Sequence, residues 1–285
     1  MNILCIQSSV AYGHVGNSAA GFALQRLGHQ AWQVATVQFS NHTGYDSCRG
    51  PVLPAAAVAD VVRGVEERGA FAVCDAVLSG YLGEAALGQV IVDAVARVRS
   101  ANPAVLYCCD PVMGDTERGF YVRPDIPDFL RAQALPVADI ITPNPFELEV
   151  LTGLAARSLE SALAAAAAAR ALGPGLVLLT SLRRGEAADG GIEMLAAGGD
   201  GAWLVRTPKL ALDPAPNGAG DLAAALFLAH YLETRDPGSA LERMAAAIFA
   251  VLEATWQAGS REMQLIAAQD RLVAPQRRFA ARRVA

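Results

Sequence analysis

Asn2-Ile-Leu-Cys-Ile-Gln-Ser8 is a short, continuously apolar run that turns polar at its end. It lacks the alternation of a half-exposed strand, so it reads as a strand of a parallel sheet buried on both faces. Ser8 then stands at the carboxyl end of that strand. There Ser8-Ser-Val-Ala-Tyr-Gly-His-Val-Gly-Asn17 makes a glycine-punctuated loop, and residues 18–27 read as a helix closed by Gly28. A strand, a loop and a helix in this order begin a sheet whose ligand crevice lies outside the carboxyl ends of its strands.

The same pattern recurs outward from this unit. Apolar runs at 32–37, 71–78, 104–109, 137–141 and 175–179 predict further strands, and 55–68, 84–99 and the alanine-rich 158–172 predict helices between them. A short helix starts after Pro143 and ends at Gly153. Residues 191–197 and 202–205, separated by Gly198-Gly-Asp-Gly201, predict an antiparallel hairpin at a sheet edge. The chain closes with helices expected at 220–233, 240–257 and 261–268. The expected fold class is α/β, a three-layer α/β/α architecture with a mostly parallel central sheet and helices on both faces. Without an internal repeat or a linker-like stretch, residues 1–285 are expected to form a single domain.

Composition narrows the function. At 53% hydrophobic and 18% charged residues, with a net charge of -5, the chain has no basic stripe for nucleic acid. The Arg-rich stretch 277–283 is expected to be a solvated or partner-packed terminus. No uninterrupted apolar window is long enough to span a membrane, and no secretion leader is expected ahead of the first strand. Cys5, Cys48, Cys74, Cys108 and Cys109 lack metal-ligand spacing, which fits reduced thiols and a cytoplasmic location.

The polar ends of the predicted strands gather in one crevice. Pro214-Ala-Pro-Asn-Gly-Ala-Gly-Asp221 runs into an apolar helix, so Gly218 and Gly220 open a helix whose free N–H groups suit an anion. Asp221, in the first turn, is either an ordinary helix-start residue or a general base, and the motif alone does not choose. Asp110 tips an otherwise apolar strand, where a carboxylate is costly unless used or paired. Asn144 and Glu147 are spaced as a helix cap, and beside Asp110 they also suit a magnesium–water network. The loop 114–119 is the candidate flap. His42, between Asn41 and Thr43, reads as a hydrogen-bonded structural residue. Tyr81 either caps the core or lines the crevice.

Taken together these blocks resemble the ribokinase superfamily and, within it, the bacterial pyridoxal kinases. The resemblance rests on Gln7–Ala20, Thr36–Tyr45, Cys74–Gly83, Cys109–Asp115, Thr142–Glu149 and Gly218-Ala-Gly-Asp221, in that order, and covers nearly the whole chain. It implies ATP-dependent phosphorylation of the 5′-hydroxyl of pyridoxal, with pyridoxine and pyridoxamine as further candidate substrates, by a cytoplasmic homodimer. Asp221 would be the base, aided by Gly218 and Gly220. Ser8, Thr43, Gly44 and Tyr81 would line the vitamin pocket. Asp110, Thr142, Asn144, Glu147, Thr180 and the run Thr207, Pro208, Lys209 and Leu210 would serve ATP, with Asp110 and Glu147 holding Mg2+. Thr180 stands where the family commonly has lysine, and Gly44 where it often has glutamine. A hydroxymethylpyrimidine kinase of the same fold and a non-catalytic vitamin B6 carrier are the alternative readings.

Overall fold

The computed structural model describes residues 1–183 and 191–285. In chain order its elements are β1 (Asn2–Val10), α1 (Asn17–Arg26), β2 (Gln30–Phe39), α2 (Ala55–Glu67), β3 (Ala76–Ser79), α3 (Ala85–Ala101) and β4 (Leu106–Cys109). A small hairpin of β5 (Gly114–Asp115) and β6 (Gly119–Phe120) follows, then α4 (Ile126–Phe129), β7 (Ile140–Ile141), α5 (Pro145–Thr152) and α6 (Leu159–Arg170). The chain continues through β8 (Leu176–Leu182), β9 (Gly191–Gly198), β10 (Gly201–Pro208), α7 (Ala219–Thr234), α8 (Pro237–Gln257), α9 (Gln269–Val273) and β11 (Arg282–Arg283).

Among the described residues the main sheet has nine strands in the order β11-β10-β9-β8-β7-β4-β3-β1-β2. From β2 to β8 all neighbours are parallel, and β9, β10 and β11 pair antiparallel. Side-chain alternation along each strand feeds two cores. Leu4, Ile6, Val77, Tyr107 and Cys109 face one core with α2, α3, α5 and α6, whereas Ile3, Cys5, Ala76, Leu78 and Cys108 face the other with α1, α7 and α8. This explains the unbroken apolar strands in the sequence: neither face of the inner strands β1, β3, β4 and β7 meets water, whereas the edge strand β2 is partly exposed. Each large side chain so buried contributes about 1.5–3 kcal/mol.

Several expected boundaries are corrected. The run 71–78 becomes strand only from residue 76, in β3 (Ala76–Ser79), because residues Ala70–Val73 turn as a 3-10 helix that buries Phe71. Of 137–141 only Ile140–Ile141 is strand, since Pro136 sits in another such turn at Leu135–Val137. The helix expected at 261–268 is absent; Met263, Leu265 and Ala268 are buried from a turn, and the helix begins at Gln269. The expected edge hairpin is β9–β10, but β11, drawn from the Arg-rich terminus, pairs outside it through Trp203 and Leu204. All five cysteines are free thiols.

Candidate active site

The polar strand ends converge as the parallel topology requires. Two irregularities in strand pairing sit at this end of the sheet: one between Gln7 and Ser9 on β1, the other between Leu179 and Leu182 on β8. Such bulges turn side chains toward a site. Ser8 lies inside the first and Thr180 inside the second, and both are buried. Gly16, at a positive φ of 51°, packs so closely that a Cβ would sit 2.3 Å from both the Ser8 carbonyl oxygen and its Oγ.

Asp221 is half-buried in the first turn of α7. Burial pushes its carboxyl up to about 6, and the Gly16 backbone N–H donates to it and pulls the other way. Gly218 precedes the helix with a φ of 86°, and a Cβ there would lie 2.0 Å from the His14 carbonyl oxygen, so only glycine fits. A Cβ on Gly220 would meet nothing within 4 Å, so that face of the helix start is open. An open helix N-terminus beside a carboxylate with raised proton affinity is an arrangement suited to receive an anion and a proton together.

Asp110 follows β4 and is buried with no cationic partner among the described residues. Burial, then the charges of Glu147 and Asp221, hold its carboxyl well above the usual range; the Thr142 hydroxyl, donating at 2.9 Å to Oδ1, opposes them. Glu147 is also buried, and burial lifts it to about 7. Its Oε1 accepts from the Met113 N–H and its Oε2 from the Asn144 N–H, each at 2.9 Å. Asn144 completes a capping box on α5 and donates from Nδ2 to the Gly114 carbonyl at 2.8 Å. Of the two sequence readings of this pair, the helix cap is present and fixes the carboxylate. The charges of Glu147 and Asp221 both press on Asp110, and a divalent cation beside it would relieve that repulsion. With both Glu147 oxygens already accepting from amides, a cation here would find Asp110 the freer of the two carboxylates.

The remaining expected residues are spread around this centre. The Thr180 N–H donates to the Pro143 carbonyl at 3.0 Å. Thr207 is buried at the end of β10, Pro208 and Lys209 are exposed, and Leu210 is half-buried. Tyr81 is half-buried, and its carbonyl accepts from the Thr36 hydroxyl at 2.7 Å. Thr43 is exposed, whereas a Cβ on Gly44 would lie 2.7 Å from Asn217 Nδ2, next to the glycine turn. His42 is structural: its Nε2 meets Glu262 at 2.9 Å, and the Tyr45 hydroxyl donates to the same Oε1 at 2.7 Å. The Arg261 guanidinium donates to the Gly44 carbonyl and lies 4.0 Å over the Tyr45 ring. The loop expected to act as a flap forms the β5–β6 hairpin. Arg118 at its tip pairs with Asp115 and donates to Asn217 Oδ1 at 3.2 Å.

Sequence reasoning missed Gln7, Glu262, Arg261 and the Arg118–Asn217 contact. Gln7 carried a signal, a polar side chain inside an apolar strand; the others join segments too distant in the chain to leave one.

The chain matches the family model described as phosphomethylpyrimidine kinase over residues 24–265. It is 61% identical to pyridoxal kinase PdxY of Rubrobacter xylanophilus, over 100% of this chain and 98% of that protein. It is 53% identical to the pyridoxal kinase PdxY of Corynebacterium diphtheriae, over 100% of both. The chain belongs to the pyridoxal kinase family. Membership accords with the fold: the Leishmania donovani pyridoxal kinase in complex with ADP and pyridoxamine superposes with a TM-score of 0.92 at 26% identity, over 100% of this chain and 99% of that one. The ribokinase-like architecture of the pyridoxal kinases is therefore that of this chain.

Proposed function

We propose that this chain is an ATP-dependent kinase that phosphorylates the 5′-hydroxyl of pyridoxal. The observation that carries the chemistry is Asp221, half-buried with its carboxyl raised to about 6 at the open start of α7. A group of that affinity is ionised at neutral pH yet basic enough to accept a proton in flight. Asp221 takes the proton of the 5′-hydroxyl as its oxygen bonds to the γ-phosphorus of ATP. The bond from that phosphorus to the β-γ bridging oxygen breaks, and ADP leaves. The amides after Gly218 and at Gly220, with the dipole of α7, hold the charge on the transferring group. Positioning and charge suffice, since this reaction needs no covalent help from the protein.

On the vitamin side we assign Ser8, Thr43, Gly44 and Tyr81. On the nucleotide side we assign Asp110, Thr142, Asn144, Glu147, Thr180 and the run from Thr207 through Pro208 and Lys209 to Leu210. Magnesium, held by Asp110 and through water by Glu147, would neutralise the phosphates. The Leishmania donovani relative forms a complex with ADP and pyridoxamine, which supports two adjoining subsites of this kind. We further assign residues 1–285 to one kinase domain acting as a cytoplasmic homodimer. The continuous sheet between two cores supports the single domain.

The test is ADP release with pyridoxal, ATP and magnesium, run beside hydroxymethylpyrimidine. Faster turnover of pyridoxal is expected. Preference for the pyrimidine, which the phosphomethylpyrimidine kinase family model keeps in view, would reassign the substrate; binding of pyridoxal without ADP release would make the protein a carrier.

A further inference from the structure

Gln7 is 1% exposed, and its Nε2 has no hydrogen-bond partner among the described residues. A buried amide hydrogen left unpaired is costly, and an apolar side chain of equal size would avoid the cost. Its backbone is fixed: Gln7 pairs with Ala35 of β2, and its carbonyl accepts from Asn17 Nδ2 at 3.1 Å. The side chain lies against Gly80, the residue that follows the neighbouring strand β3. A Cβ on Gly80 would lie 2.6 Å from Gln7 Oε1, 3.2 Å from Gln7 Cβ and 3.6 Å from Asp221 Oδ1. The amide and the carboxylate therefore flank one gap, which exists because residue 80 has no side chain. Two acceptor oxygens, Gln7 Oε1 and Asp221 Oδ1, border that gap, and the amide Nε2 has no partner. A half-turn of the amide exchanges its ends and aims an N–H at the carboxylate.

We infer that Gln7 is a positioning residue for phosphoryl transfer, donating its amide N–H across the Gly80 gap to Asp221 Oδ1 so that the other oxygen faces the substrate hydroxyl. This rests on Asp221 being the base. The unpaired hydrogen is then a donor held in reserve for the loaded site, and its cost falls on the empty protein.

The experiment compares wild type, Gln7→Met, Gly80→Ala and the double variant in pyridoxal turnover and thermal unfolding. Gln7→Met removes the unpaired donor at nearly constant volume. Its melting temperature is expected to hold or rise by about 2–4 °C, while kcat falls about 10- to 100-fold and KM for ATP stays within about twofold. Gly80→Ala, which pushes the amide out of the gap, is expected to lower kcat similarly on its own and to add little in the Gln7→Met background. A kcat for Gln7→Met within about twofold of wild type would overturn the inference. So would a kcat loss accompanied by a fall in melting temperature, or additive losses in the double variant. Wild type that failed to turn over pyridoxal would instead remove the proposed function itself.

Discussion

The two ends of the parallel sheet treat their carboxylates in opposite ways. At the amino end, Asp139 precedes β7 and is fully used: its Oδ2 accepts from the Tyr107 N–H and from Arg99 Nη2, each at 2.7 Å. At the carboxyl end, Asp110 follows β4, the strand in which Tyr107 lies, yet it is buried without a cation and faces Glu147 and Asp221. Local choices agree with the fold at one end and conflict with it at the other. Such conflict persists where a ligand resolves it, so the imbalance marks the working end of the molecule.

Four measurements break or sharpen this contrast. The largest effect is expected for Asp221→Asn, which keeps the shape and removes the base; turnover in a coupled ADP assay should fall about 10^3-fold, within the usual reach of such a group. Its melting temperature should rise, because a carboxyl raised from 3.8 to about 6 costs the folded state on the order of 1–2 kcal/mol at neutral pH after allowing for its partial exposure. Undiminished turnover would remove Asp221 from the chemistry. Next, Asp110→Asn should raise the magnesium concentration for half-maximal rate by about tenfold or more, with stability unchanged or improved. An unchanged magnesium response would show that Asp110 is no ligand.

The third is a pH profile. Asp221 is raised to about 6 and Glu147 to about 7, both by burial. A carboxyl raised in the folded state binds protons more tightly there than in the unfolded chain. Its contribution to stability is therefore present at low pH and is lost as pH climbs through the folded value. The ligand-free protein should lose melting temperature between about pH 4 and 7 through these groups, while kcat/KM rises over the upper part of that window. A profile flat in both would contradict the burial of the acids. The smallest effect belongs to the amino end: Asp139→Asn should cost about 1 kcal/mol, as expected for a pair one-third exposed, with kcat unchanged. A loss of activity there would erase the distinction between the ends.

The contrast also explains what could be read before the structure. Continuous apolar runs ending in polar residues betrayed the parallel strands, and Asp110 stood out because nothing apolar surrounds it at the strand tip without cost. Asn144, Glu147 and Asp221 were legible because caps and glycine turns are local. Residues 71–75 and 137–139 were overread as strand, since a 3-10 turn that buries Phe71 or Leu135 leaves the same apolar trace. Residues 261–268 were overread as helix because apolar spacing does not distinguish a helix from a turn with buried side chains. Glu262 meeting His42 and Tyr45 left no mark at all, since those contacts join residues 220 and 217 positions apart.

That last contact bears on how the molecule is made. The segment after β2 is pinned by Arg261 and Glu262, which leave the ribosome long after the sheet's first strands. A chain still in synthesis can assemble β1, β2 and β3 early, but the rim carrying His42, Gly44 and Tyr45 takes its final shape only near completion. The rim that the proposed function sets beside the vitamin is therefore held by the last-made part of the sequence.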